Sequence, residues 1–117
     1  MILGTGVDII EIARIKKAID RWGDHFLSHI FTEEEIRYAK SCKFPTQHFA
    51  ARFAAKEAVY KALENHYSRI HWKDIKIKNG KNGKPFCTVN IENFNHHVLI
   101  SLSHSKHYAV ANAIIST

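Results

Sequence analysis

From Ile2 to Ile10 the chain is apolar and β-branched, which predicts a buried strand with Gly4, Gly6 and Asp8 on one face by the period-two rule. The apolar spacing then widens to Ile12, Ile15, Ile19 and Trp22, a helical recurrence that gathers Arg14, Lys17 and Arg21 on the opposite face. That basic face is either a docking surface or simply a solvated one. Thr32 stands three residues before Glu35, the spacing of a capping box, so a helix is expected to start there and run through Tyr38 and Ala39. The acids Glu33 to Glu35 favour the positive end of the helix dipole and require no further role. Pro45 interrupts the chain before a long helix from about Gln47 to Leu63.

That helix is rich in alanine and apolar on nearly every side, a pattern that buries a helix rather than laying it on a surface. Four charges are set into it. Glu57 and Lys61, four apart, can pair with each other, whereas Arg52 and Lys56 set like charges on one stripe. These two either share an anion between them or reach water along their methylene stems.

Beyond the helix, Ile75 and Ile77 alternate with lysines, Asn79-Gly80 and Asn82-Gly83 supply turn chemistry, and Phe86 to Ile91 continues as a strand. Val98 to Ser103 and Tyr108 to Ile115 form a second hairpin, joined by Ser103-His104-Ser105-Lys106-His107. A strand, helices and four further strands, with no repeat or linker, indicate one α+β domain over residues 1–117: an antiparallel sheet packed against helices.

Composition narrows the partners. In 117 residues there is room for one core and little interior for a cleft that encloses a large substrate, so a pocket between identical subunits is expected. A formal charge of +6 points to a polyanionic partner. Cys42 and Cys87 have no metal-ligand spacing and read as reduced thiols of a cytoplasmic protein, with no leader and no apolar run long enough to cross a membrane.

Two acids stand where apolar residues are expected, Asp8 in the first strand and Glu57 in the long helix. Together they suit a hard divalent cation such as Mg²⁺, which takes one or two protein carboxylates and fills its other positions with water and phosphate oxygens. Against this, Asp8 is also placed to cap the helix near Glu11 or Ile12, and Glu57 to pair with Lys61. Arg52, Lys56, Lys61, Ser103, His104 and Lys106 form a second set of cations and hydrogen-bond donors suited to a diphosphate. The Ser103-His104-Ser105-Lys106 string also fits an ordinary polar turn, and His104 with His107 is a weak zinc signal.

Three segments in order carry a family resemblance. They are Gly4-Thr5-Gly6-Val7-Asp8-Ile9-Ile10-Glu11-Ile12 with Arg14, Arg52-Phe53-Ala54-Ala55-Lys56-Glu57-Ala58 with Lys61-Ala62-Leu63, and Ser101-Leu102-Ser103-His104-Ser105 with Tyr108-Ala109-Val110-Ala111. With Phe31-Thr32-Glu33-Glu34-Glu35 and Gly83-Lys84-Pro85 they resemble the holo-acyl-carrier-protein synthase family over essentially the whole chain. The resemblance implies the 4'-phosphopantetheinyl transferase fold and transfer of 4'-phosphopantetheine from coenzyme A to a serine of apo-acyl carrier protein, releasing adenosine 3',5'-bisphosphate. It implies Mg²⁺ on Asp8 and Glu57, and catalysis by Glu57 and Lys61. It further implies coenzyme A phosphates on Arg52, Lys61, Ser103 and His104, and an acidic carrier meeting Arg14 and Arg21. Trimers with sites at their subunit interfaces are expected as well. Two departures are visible: Glu64-Asn65-His66 replaces the glycine-rich turn that many relatives carry after the long helix, and Thr5 stands where an aliphatic residue is usual between the first two glycines.

Two rivals predict other patterns. A small basic nucleic-acid-binding module requires aromatics interleaved with basic residues on an exposed platform, which the chain lacks. A non-catalytic protein of the same fold predicts loss of Asp8, Glu57 or Lys61, and all three are present.

Overall fold

The computed structural model describes all 117 residues. Strand β1 (Ile2–Glu11) leads directly into α1 (Ile12–Trp22), followed by α2 (Asp24–Ile30), α3 (Glu33–Ser41) and the long α4 (Pro45–Leu63). A 3₁₀ turn (Trp72–Asp74) precedes β2 (Ile75–Asn79), β3 (Pro85–Val89), β4 (His97–His104) and β5 (Tyr108–Ser116). The strands form two antiparallel sheets, β1-β5-β4 and β2-β3, so the first strand of the chain pairs with the last.

Two local expectations need correction. Pro45 does not sit ahead of the long helix but opens it, since a missing N–H costs nothing at the first helical position. Helix α2 has no counterpart in the pattern reading because its seven residues turn only Leu27 and Ile30 into the core, too few for a visible period.

Helix α4 is buried along most of its length, with Ala50, Ala54, Ala55 and Ala58 fully inaccessible. One side meets Ala109, Ala111, Ala113 and Ile115, the inward residues of β5. Small residues on both partners let helix and sheet approach closely. The approach is tightest at β1, where a Cβ built on Gly4 or Gly6 lands on the backbone carbonyl of Ala62 or Ala58. Those glycines are therefore required by contact. Asp8 follows them on the same inward face.

The charges on α4 are resolved in an unforeseen way. Lys56 does not reach water: its Nζ is fully buried and pairs with Glu35 Oε1 at 2.9 Å, a carboxylate whose charge Arg52 also senses, and it donates to the carbonyls of Ile75 (2.6 Å) and Trp72 (3.0 Å). Glu35 likewise does more than favour a helix end. Its carboxylate accepts from the backbone N–H of Thr32 (2.7 Å) and of Ile77 (2.8 Å) as well, joining α3, α4 and β2 at one buried point. Two desolvated charges are tolerated there because nearly every donor and acceptor is used.

Candidate functional site

The contact between β1 and α4 brings three predicted residues together. Lys61 Nζ donates to Asp8 Oδ1 at 3.0 Å and to the Val7 carbonyl at 3.1 Å, so it pairs with Asp8 and not with Glu57 four residues before it. Asp8 does not cap α1, whose N-cap residue is Glu11 with no side-chain cap. Glu57 lies close enough to sense both groups. Burial first, and the Asp8 carboxylate second, hold the Glu57 carboxyl above the usual carboxylate range, while the Lys61 ammonium offsets part of this.

Asp8, Arg14 and Glu57 line one cavity of about 360 Å³, walled by Ile9, Phe26 and Phe53. Arg14 is thus beside the carboxylate pair, while Arg21 lies further along α1 over the exposed Trp22 ring, 4.9 Å from its centroid.

Two neighbouring carboxylates with one ammonium leave net negative charge at a partly desolvated point, and a cation relieves it. No group of three or more His, Cys, Asp or Glu side chains converges anywhere in the fold. The donor set of two carboxylates therefore fits a hard divalent ion whose remaining positions go to water and substrate oxygens, and does not fit a structural zinc site. The thiols lie elsewhere: Cys42 ends α3, and burial pushes the Cys87 thiol up to about 12.

The other predicted phosphate ligands are not gathered at that point. Arg52, 4% exposed, turns to the opposite side of α4, where its Nη2 donates to Asn79 Oδ1 (2.8 Å) and its guanidinium lies 4.3 Å from the Tyr38 ring centroid. Its Nε has no partner. His48, one turn earlier on α4, is held below its ordinary value by burial first and then by the charges of Arg52 and His104. Arg52, His48 and His104 thus lie near one another, and sequence reasoning missed His48. The signal was its i,i+4 spacing with Arg52. Ser103 faces the outer side of the β1-β5-β4 sheet, away from α4, and shares a shallow cavity with Ser101, Val110 and Asn112.

The outer side of that sheet is also where apolar residues lie open. Val7, Ile9 and Leu99 are 61%, 65% and 59% exposed, an uncovered patch that a lone small domain rarely tolerates. No helix is long and apolar enough to cross a membrane.

Comparison with known proteins gives one consistent result. Residues 4–113 match the 4'-phosphopantetheinyl transferase superfamily. The chain is 47% identical to the holo-[acyl-carrier-protein] synthase of Thermodesulfovibrio yellowstonii, over 99% of this chain and 100% of that protein. It is 46% identical to that of Protochlamydia amoebophila over 100% of both. Among solved structures, it resembles the Bacillus anthracis synthase in complex with CoA (3',5'-ADP), with TM-score 0.84, 38% identity and coverage of 100% and 98%. The Neisseria meningitidis synthase gives TM-score 0.88 at 27% identity, covering 100% of both chains.

Proposed function

This chain belongs to the 4'-phosphopantetheinyl transferase superfamily as an enzyme of the holo-acyl-carrier-protein synthase type, and from that premise we propose a Mg²⁺-dependent reaction centred on Asp8, Glu57 and Lys61. A serine hydroxyl of the carrier attacks the β-phosphorus of coenzyme A. The new bond is serine oxygen to phosphorus, and the bond that breaks joins that phosphorus to the oxygen bridging to the adenosine side. The products are holo-carrier and adenosine 3',5'-bisphosphate.

The observation that supports this reading is the shared position of Asp8 and Glu57, distant in sequence, with Lys61 bonded to the first. Asp8 and Glu57 would hold Mg²⁺, which when bound neutralises diphosphate charge and stabilises the leaving oxygen. Glu57 is the carboxylate placed to take the proton from the serine hydroxyl. Lys61 has three N–H donors and spends two on Asp8 and Val7, so one remains for a phosphate oxygen. Arg14 lines the cavity that leads to Glu57 and meets the acidic carrier there, with Arg21 extending the same basic face.

Arg52 and His104 take the phosphates of the adenosine end. Ser103, on the outer face, belongs to a site completed by a neighbouring protomer. The exposed Val7, Ile9 and Leu99 support a homotrimer closed through that face, with each site at a subunit interface. The single domain acts in the cytoplasm on a protein carrier, with neither nucleic acid nor membrane as partner.

The test is modification of apo-carrier by purified protein, coenzyme A and Mg²⁺, followed as a mass increase, with and without chelator. Asp8→Asn and Glu57→Gln are each expected to lower turnover by roughly 10²–10³-fold. Full turnover in chelator, or in both variants, rejects the assignment.

A further inference from the structure

A cavity of about 310 Å³ opens where α1 gives way to α2, lined by Trp22, His25, Phe26 and His29. None of the chemistry assigned above uses its two imidazoles. Their placement follows from the local sequence. The seven residues of α2 turn Leu27 and Ile30 into the core, and His25 and His29, four apart, fall on the opposite side, both exposed. Gly23, at a φ of 55° that favours glycine, ends α1 and lets the chain restart as α2, so that Trp22 and the two histidines border one space.

We propose that His25 and His29 bind one exchangeable transition-metal ion, Zn²⁺ or Cu²⁺, at a site separate from the carboxylate pair and independent of the transferase activity. Two histidines one turn apart on a helix present their ring nitrogens to a single ion, as helical zinc sites do. Imidazole nitrogen suits Zn²⁺, Cu²⁺ and Ni²⁺, whereas Mg²⁺ prefers carboxylate oxygens, so the donor atoms sort the two kinds of ion between the two places. His29 lies in the last turn of α2, where the unpaired carbonyls of the helix end favour a cation. Asp24, the neighbouring carboxylate, pairs with Lys40 at 3.5 Å and leaves the imidazoles as the ligands. Arg21, 4.9 Å from the Trp22 ring centroid, opposes a cation here, but it is open to solvent, where salt screens the repulsion. With two protein ligands, water fills the remaining positions. The site is therefore reversible, unlike a structural zinc centre with its four protein ligands. Phe26 is a wall shared with the cavity of Asp8, Arg14 and Glu57, which puts the ion one side chain away from that centre.

The experiment is calorimetric titration of Zn²⁺ into the full chain, with Mg²⁺ in excess to occupy the carboxylates. His25→Gln and His29→Gln should each weaken Zn²⁺ binding by about tenfold or more, while His107→Gln, in the turn between β4 and β5, should leave it within about twofold. Both histidines of the site are exposed, and thermal unfolding without metal checks that the variants fold. Zn²⁺ should raise the unfolding temperature of the wild type by mass action, and at the same concentration should not raise that of the two variants. Cu²⁺ gives an independent readout: it should quench the emission of Trp22, which lines the cavity, and the saturable quenching should disappear in Trp22→Phe and in His29→Gln. Zinc affinity unchanged in both site variants, or lowered more by His107→Gln than by either, overturns the site. Saturable quenching that survives in His29→Gln overturns it as well.

Discussion

Replacing Glu35 with Gln perturbs the point where three elements meet. The carboxylate accepts from three donors, Thr32 N–H and Lys56 Nζ on one oxygen and Ile77 N–H on the other. A glutamine amide has only one accepting oxygen, so its NH₂ must face a donor whichever way it is turned. Lys56 meanwhile keeps its two carbonyl partners but loses its counter-charge in a fully buried position. Breaking a buried pair in this way costs about 3–5 kcal/mol, against a total stability of about 5–15 kcal/mol for a domain. With an unfolding entropy of about 2.1 cal/mol/K per residue, 117 residues convert that loss to a Tm lower by about 12–20 °C.

The loss has a pH signature. Burial already holds the Lys56 ammonium below its ordinary value of 10.5, and removing Glu35 lowers it further. A lysine depressed in the native state destabilises fully where it is charged in both states and ceases to do so as pH rises to its unfolded value. The difference between variant and wild type should therefore shrink as pH is raised from 7 toward 10.5. Thermal and urea unfolding followed by circular dichroism measure both effects. A variant within about 1 kcal/mol of wild type at pH 7 refutes the reasoning.

Three further outcomes follow from named contacts. Gly6→Ala puts a methyl against the Ala58 carbonyl and must move β1 off α4, which should cost about 1–3 kcal/mol and lower kcat by roughly 10–10²-fold; Thr88→Ala, exposed on β3 in the other sheet, is the control, and equal behaviour of the two defeats the argument. Native His48 binds its proton less tightly than unfolded His48, so stability is whole above pH 6.5 and declines as pH falls below it; His48→Gln should flatten that acid limb in urea midpoints, and an unaltered limb counts against it. Leu99→Glu charges the open sheet face far from the carboxylates and should give a monomer by sedimentation velocity with loss of carrier modification, whereas an assembled and active variant removes the trimer proposal.

Periodicity and composition by themselves determined most of the scaffold. The strand with inward Gly4, Gly6 and Asp8, the capped third helix and the buried alanine-rich helix all follow from local rules that tertiary contacts did not override. The two acids out of place in apolar segments also marked the candidate site, where β1 and α4 bring them together, because a carboxylate in such a setting demands a partner whatever the fold. Which partner each charge took was decided only by the tertiary structure. Helical spacing offers Lys61 to Glu57 and Arg52 to Lys56, yet β1 brings Asp8 to Lys61, and α3 brings Glu35 to Lys56. Glu35 lies one turn before the buried Ala39 on α3, so its burial was visible in principle; its contact with Ile77, forty-two residues on, was not. Side-chain pairing across elements depends on distances that local spacing does not encode, and desolvated charges are sensitive to such distances above all.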